Sequence, residues 1–122
     1  MDDVKLEYPI IYLESSDFDD TGNLINDILL STKKPVIVMI QSKNCGWCTQ
    51  AKDPYISSAS NNRGIIHSVI DVEADPDAAK EVSGKSPNYK GLPHYMCYKN
   101  GKLVSDVLEN RDEKSLVKFA LN

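Results

Sequence analysis

Two patterns of apolar residues divide the chain: short unbroken runs, and stretches in which apolar positions recur every three or four residues. Ile10 to Leu13 (IIYL) reads as a first strand. Asp17 to Asp20 then supply acidic residues suited to a helix start. Leu24, Ile25, Ile28 and Leu29 follow at helical spacing and predict one apolar stripe over about three turns. Lys33 and Lys34 suit a helix C-terminus, and Pro35 ends it. Val36 to Ile40 (VIVMI) has no polar alternation and is rich in β-branched residues, as in a strand covered on both faces.

A polar loop, Gln41 to Asn44, leads into a helix predicted from about Cys45, with Pro54 expected to kink or end it. Ile65 to Val72 reads as a strand, and Asp75-Pro76-Asp77 opens a short helix running to about Val82. Residues 83–91 form a loop. His94 to Lys99 and Lys102 to Leu108 are strands joined by an Asn100-Gly101 hairpin turn. Asp112 to Leu121 closes as a helix with Leu116, Val117, Ala120 and Leu121 on one face. Alternation of helix and strand in the first half implies parallel pairing; the last two strands pair antiparallel.

Composition narrows the field. The chain has 122 residues with 41% apolar content, enough for one core, and reads as a single domain over 1–122 with residues 1–8 as a short polar extension. A net charge of −4 argues against a nucleic-acid surface. No apolar stretch approaches the roughly 20 residues of a membrane helix. MDDVKLEYPI is not a secretory leader, so a cytoplasmic, reducing setting is expected. Three cysteines are too few for a disulfide scaffold.

The chemistry centres on KNCGWCTQAKDPY, residues 43–55. A closed zinc site needs four ligands, and beyond Cys45 and Cys48 only Cys97, His67 and His94 are available, two of them inside predicted strands. A second reading makes the pair buried small hydrophobes, and Cys97 is read that way. The third is redox. Cys45 falls where unpaired helix N–H groups and the macrodipole favour negative charge, and Cys48 lies one turn deeper, placed to resolve a mixed disulfide. Gly46 would permit the tight turn, Trp47 offers an apolar surface to a substrate chain, and Lys43 adds a nearby positive charge.

VIVMIQSKNCGWCTQAKDPY, with GLPHYMCYKNGK downstream, resembles the thioredoxin family, and the likeness extends over roughly residues 8–121. It implies the thioredoxin fold: an α/β architecture with a central mixed sheet flanked by about four helices. It also implies that Cys45 attacks a protein disulfide, that Cys48 releases the product, and that Pro93 is a cis-proline facing the CxxC. Leu92 and Pro93 would then hold an extended polypeptide as a short added strand.

The sequence departs from the family at several points. Met39 stands where a buried acid is common, Val69 where a basic residue is usual, and Gln41 where a tryptophan is usual. Cys48 should therefore sit in a drier pocket that raises its thiol pKa. A water or Asp53 would take its proton. Pro54 lies one place late, and the 83–91 loop is long, putting Asn88, Tyr89 and Lys90 beside the site. His94, if protonated, would stabilise the Cys45 thiolate.

The resulting expectation is a monomeric thiol–disulfide oxidoreductase of cell redox homeostasis. Its partners are disulfide-containing proteins and an external reductase or thiol, with no nucleic acid or membrane. It carries no metal and no organic cofactor, only the Cys45–Cys48 redox pair. The alternative is a non-catalytic thioredoxin-like adaptor with a regulatory or vestigial CxxC. Glutathione-dependent chemistry would want cationic contacts that the sequence does not locate.

Overall fold

A computed structural model describes residues 9–122; the extension expected over residues 1–8 lies outside the described residues. Five strands form one sheet in the order β1-β3-β2-β4-β5: β1 is Ile10–Tyr12, β2 Val36–Gln41, β3 Ile66–Asp71, β4 His94–Lys99 and β5 Lys102–Ser105. The first three pair parallel, while β4 runs antiparallel to β2, and β5 to β4. The mixed sheet and its four helices match the expected architecture. The helices are α1, Asp27–Ser31; α2, Gly46–Asn61; α3, Pro76–Gly84; and α4, Glu113–Leu121.

Strand β2 is the keel. All six of its residues are buried, and alternate side chains serve two cores, as the strand period of two requires. Val36, Val38 and Ile40 pack with Leu29 of α1 and Ala78, Ala79 and Val82 of α3. Ile37 and Met39 pack on the other face with Tyr55 and Ala59 of α2 and Leu116 and Ala120 of α4. The second layer is pinned by Tyr55, whose hydroxyl donates to Ser68 O at 2.7 Å and accepts from Ser68 N at 3.2 Å. That anchor lies one residue beyond Pro54, and α2 continues through the proline to Asn61 rather than ending there.

Two elements are shorter than their sequences suggest. The Leu24–Leu29 stripe is not one helix: Leu24 bridges Phe18 and donates its N–H to Gly101 O at 2.8 Å. Asn26 then caps α1 by accepting from Leu29 N at 3.0 Å. Leu24 and Leu29 are buried, whereas Ile25 and Ile28 face solvent. Strand β5 stops at Ser105 instead of Leu108 because Asp106 is drawn to the loop after α3, accepting from Ser86 Oγ at 2.7 Å and Asn88 N at 2.8 Å. Leu121, assigned to the core face of α4, is exposed.

The Asn100-Gly101 turn has both residues at positive φ, 52° and 82°, the geometry of a tight hairpin. A β-carbon on Gly101 would lie 2.6 Å from Leu24 O. Gly101→Ala is therefore expected to destabilise the fold by about 2 kcal/mol, from left-handed strain and this clash together. Urea unfolding checks it; a variant as stable as the parent would contradict the turn geometry.

Candidate active site

The loop after β2 is built by hydrogen bonds to one carboxylate. Ser42 Oγ and the Lys43 N–H donate to the two oxygens of Glu73, the latter at 3.1 Å. Asn44 N donates back to Ser42 Oγ at 3.1 Å, and Cys45 N to Ser42 O at 3.2 Å. These contacts hold the Glu73 carboxyl below its ordinary pKa, the Ser42 hydroxyl contributing most. They also deliver Cys45 to the N-cap of α2 in extended conformation.

At that position the Cys48 N–H donates to Cys45 Sγ at 3.2 Å, so the sulfur acts as the helix cap. Cys45 is half-buried, and its thiol faces Leu92 O at 3.6 Å. The Leu92–Pro93 peptide is cis. Cys48 is fully buried, and Cys45 and Cys48 are free cysteines. Burial, then the contact with Cys45, pushes the Cys48 thiol up to about 12, although a backbone hydrogen bond at Ser42 and the Arg111 charge act the other way. The dry setting expected for Cys48 shows in its complete burial, the largest cause of its raised pKa; Met39 and Val69, which stand where charged residues are usual, are completely buried in one core layer.

The remaining sequence candidates divide. Trp47 stands out at 64% exposure beside Cys45. Gly46 has no left-handed φ, and a β-carbon there would meet nothing within 4 Å; the turn does not demand glycine, which instead leaves bare surface next to the sulfur. Lys43 is exposed, and it is its backbone N–H that serves the site. Asp53 faces solvent, and the charges that act on Cys48 are those of Cys45 and Arg111.

His94 is also redirected. It is buried, with Nε2 2.7 Å from Ser86 Oγ and its ring edge-on to Tyr89 at 5.1 Å. Burial holds it below the ordinary histidine value, so at neutral pH it is uncharged and braces the loop instead of stabilising a thiolate. His67 is bound to Ser58 Oγ at 2.8 Å. Among the described residues no three His, Cys, Asp or Glu side chains gather as metal ligands.

The sequence reading missed Glu73, Tyr95 and Arg111. A cavity of about 600 Å³ opens on the Pro93 side of the site, and Tyr95 and Arg111 line it together with Asn88, Lys90 and His94. An arginine directly ahead of the Asp112 helix cap, in a segment returning toward the sheet, was the available signal for Arg111.

The thioredoxin family model matches residues 14–122. Thioredoxin-like protein 453L of Invertebrate iridescent virus 6 is 35% identical over 116 residues, covering 82% of this chain and 83% of the viral protein. Among solved structures, the J-Trx1 fragment of ERdj5 superposes with a TM-score of 0.70 at 20% identity; 93% of this chain is covered but only 49% of that fragment, so the chain spans about half its length. The first thioredoxin domain of mouse protein disulfide-isomerase A4 gives 0.68 at 21% identity, over 95% of this chain and 76% of that one. Thioredoxin f2 in complex with ferredoxin:thioredoxin reductase gives 0.65 at 14%, over 89% of each. At these identities the structural matches establish the fold.

Proposed function

The chain belongs to the thioredoxin family, and on that premise we propose that it reduces disulfides in protein substrates through Cys45 and Cys48. The observation that carries this reading is the division of labour between the sulfurs: Cys45 half-exposed at the helix tip with an N–H aimed at it, Cys48 buried one turn below. An extended substrate lying along Leu92 and Pro93, with Trp47 as an apolar shoulder, brings its disulfide to Cys45.

The Cys45 thiolate attacks one substrate sulfur, forming a Cys45–substrate disulfide and releasing the other substrate sulfur as a thiolate, which is protonated. Cys48 then loses its proton and attacks Cys45 Sγ. The Cys45–Cys48 bond forms as the mixed disulfide breaks, and the second substrate sulfur leaves with the electron pair. Two electrons have passed to the substrate, and an external dithiol reductant must return them. The cycle calls for no metal or organic cofactor and suits a monomer in a reducing compartment such as the cytoplasm. Among the described residues no helix is long and apolar enough to cross a membrane.

The direct test is Cys48→Ser. With the resolving sulfur gone, the variant is expected to accumulate mixed disulfides with its substrates, seen as adducts on non-reducing gels that dissolve with dithiothreitol. A variant that captures nothing, in a parent protein that reduces nothing, would leave the adaptor reading in place.

A further inference from the structure

The backbone N–H groups of residues 43, 44 and 45, which lead into α2, each have an acceptor, and Glu73 stands behind two of them. Lys43 N donates to Glu73 Oε1 at 3.1 Å. Asn44 N donates to Ser42 Oγ at 3.1 Å, and that hydroxyl gives its single proton to Glu73 Oε2. The carboxylate therefore turns the Ser42 lone pairs toward Asn44. Cys45 N closes the ring on Ser42 O at 3.2 Å. Glu73 itself comes from the turn after β3, where Glu73 N donates to Asp71 Oδ1 at 3.2 Å and Val72 N to Gln41 O at 2.9 Å. The side chain thus ties the end of one strand to the loop that follows its neighbour.

Ser42 meets both sulfurs' surroundings. Its carbonyl fixes the Cys45 N–H, and with it the extended backbone (φ −107°, ψ 115°) that aims Cys45 Sγ at the Cys48 N–H, 3.2 Å away. A backbone hydrogen bond at Ser42 also favours the charged form of Cys48. Ser42 is only 6% exposed, whereas the Glu73 side chain lies at the surface. An exposed carboxylate adds little to global stability, so its contacts bear on the loop. Its charge opposes thiolate formation, so any benefit it brings to attack comes through geometry.

We propose that Glu73 is a positioning residue for disulfide attack: by clamping Ser42 and Lys43 it holds Cys45 at the helix N-cap with its sulfur on the Cys48 N–H. Without the carboxylate the Ser42 hydroxyl rotates freely, Lys43 N turns to water, and Cys45 spends part of its time off the N-cap. There the sulfur loses both its N–H donor and its aim at the substrate. The chemical step is the same in either case. The Cys45 thiolate bonds to one substrate sulfur, the substrate S–S bond breaks, and the other substrate sulfur leaves with the electron pair. Only the fraction of molecules poised for attack changes.

This inference rests on the dithiol–disulfide reading, and the test separates the two. Reduced protein carrying Cys48→Ser is mixed with a short peptide disulfide, the reaction is quenched with acid, and the Cys45 adduct is timed by mass spectrometry. Adding Glu73→Ala is expected to slow adduct formation about tenfold, with the urea midpoint unmoved. Glu73→Gln keeps an oxygen acceptor and is expected to stay within about threefold of the starting rate. Ser42→Ala is expected to slow attack as Glu73→Ala does, and the two together by no more than about twofold beyond the slower one, since both break one network. An influence through charge alone has the opposite sign: both Glu73 variants would then attack faster, and that result would overturn the proposal. So would an unchanged rate in Glu73→Ala, equal slowing in Glu73→Gln, or slowing matched by a lowered urea midpoint, which would place Glu73 in the scaffold. No adduct in Cys48→Ser alone would remove the disulfide reading, and this role with it.

Discussion

Cys45→Ser is expected to reduce insulin-disulfide reduction to the uncatalysed background while leaving the fold intact. The two halves of that expectation have separate physical grounds. Activity disappears because only the sulfur at residue 45 is both open to solvent and met by a helix N–H, and an alcohol cannot form the mixed disulfide. Cys48 cannot substitute, since it is fully buried and its thiol is pushed up to about 12. Stability survives because residue 45 is an N-cap, where serine is a preferred residue and its oxygen can accept from Cys48 N as the sulfur does. Thermal unfolding within about 1 kcal/mol of the parent, alongside lost turnover, is the predicted pair of results. Parental activity in Cys45→Ser would sink the assignment.

What the sequence made legible follows from the range of the forces involved. VIVMI could only be a strand buried on both faces, and it is the central strand β2 with every residue covered. The CxxC was readable because strand, polar loop and helix start are all local signals, and Cys45 does cap α2. Failures arose where a distant partner decided the outcome. Leu24, Ile25, Ile28 and Leu29 fit a helix, but Gly101, far along the chain, takes the Leu24 N–H and Leu24 leaves the stripe. Lys102 to Leu108 fit a strand, but Ser86 and Asn88 capture Asp106 and turn the chain away. That departure is what places Arg111 near Cys48, and no spacing rule ties those two residues. Asp53 shares a helix with Cys48 but faces solvent, while the neighbouring Lys52 is only 3% exposed; helical spacing alone did not separate the two. His94 misled because adjacency to Pro93 in sequence says nothing about which way the ring turns.

Acidification is expected to unfold this protein earlier than its carboxylates alone would dictate, through His67. The ring is 1% exposed; Nδ1 lies 3.3 Å from Ile65 O, Nε2 lies 2.8 Å from Ser58 Oγ, and Tyr55 closes one edge at 5.3 Å. A ring with Nδ1–H donating to the carbonyl and Nε2 accepting from the serine is neutral, a tautomer assigned from these partners. Burial pushes its pKa from 6.5 down to about 4, against opposite pulls from Ile65 O and the Glu113 charge. The unfolded chain therefore takes up a proton between pH 6.5 and 4 that the folded one refuses. Stability is complete above that window and lost as pH falls through it, by about 1.4 kcal/mol per unit, or about 3 kcal/mol in all. His94, also held low by burial, adds in the same direction. Asp71, whose carboxyl burial pushes up, opposes both. Asp106 and Asp112, held below the ordinary carboxylate value, withdraw their support only at lower pH. Urea unfolding from pH 7 to 4 in the parent and in His94→Gln isolates the His67 share. A flat profile in His94→Gln, or a His67 ring that titrates near pH 6.5 by NMR in the folded protein, would show that this side chain is not held neutral between α2 and the sheet.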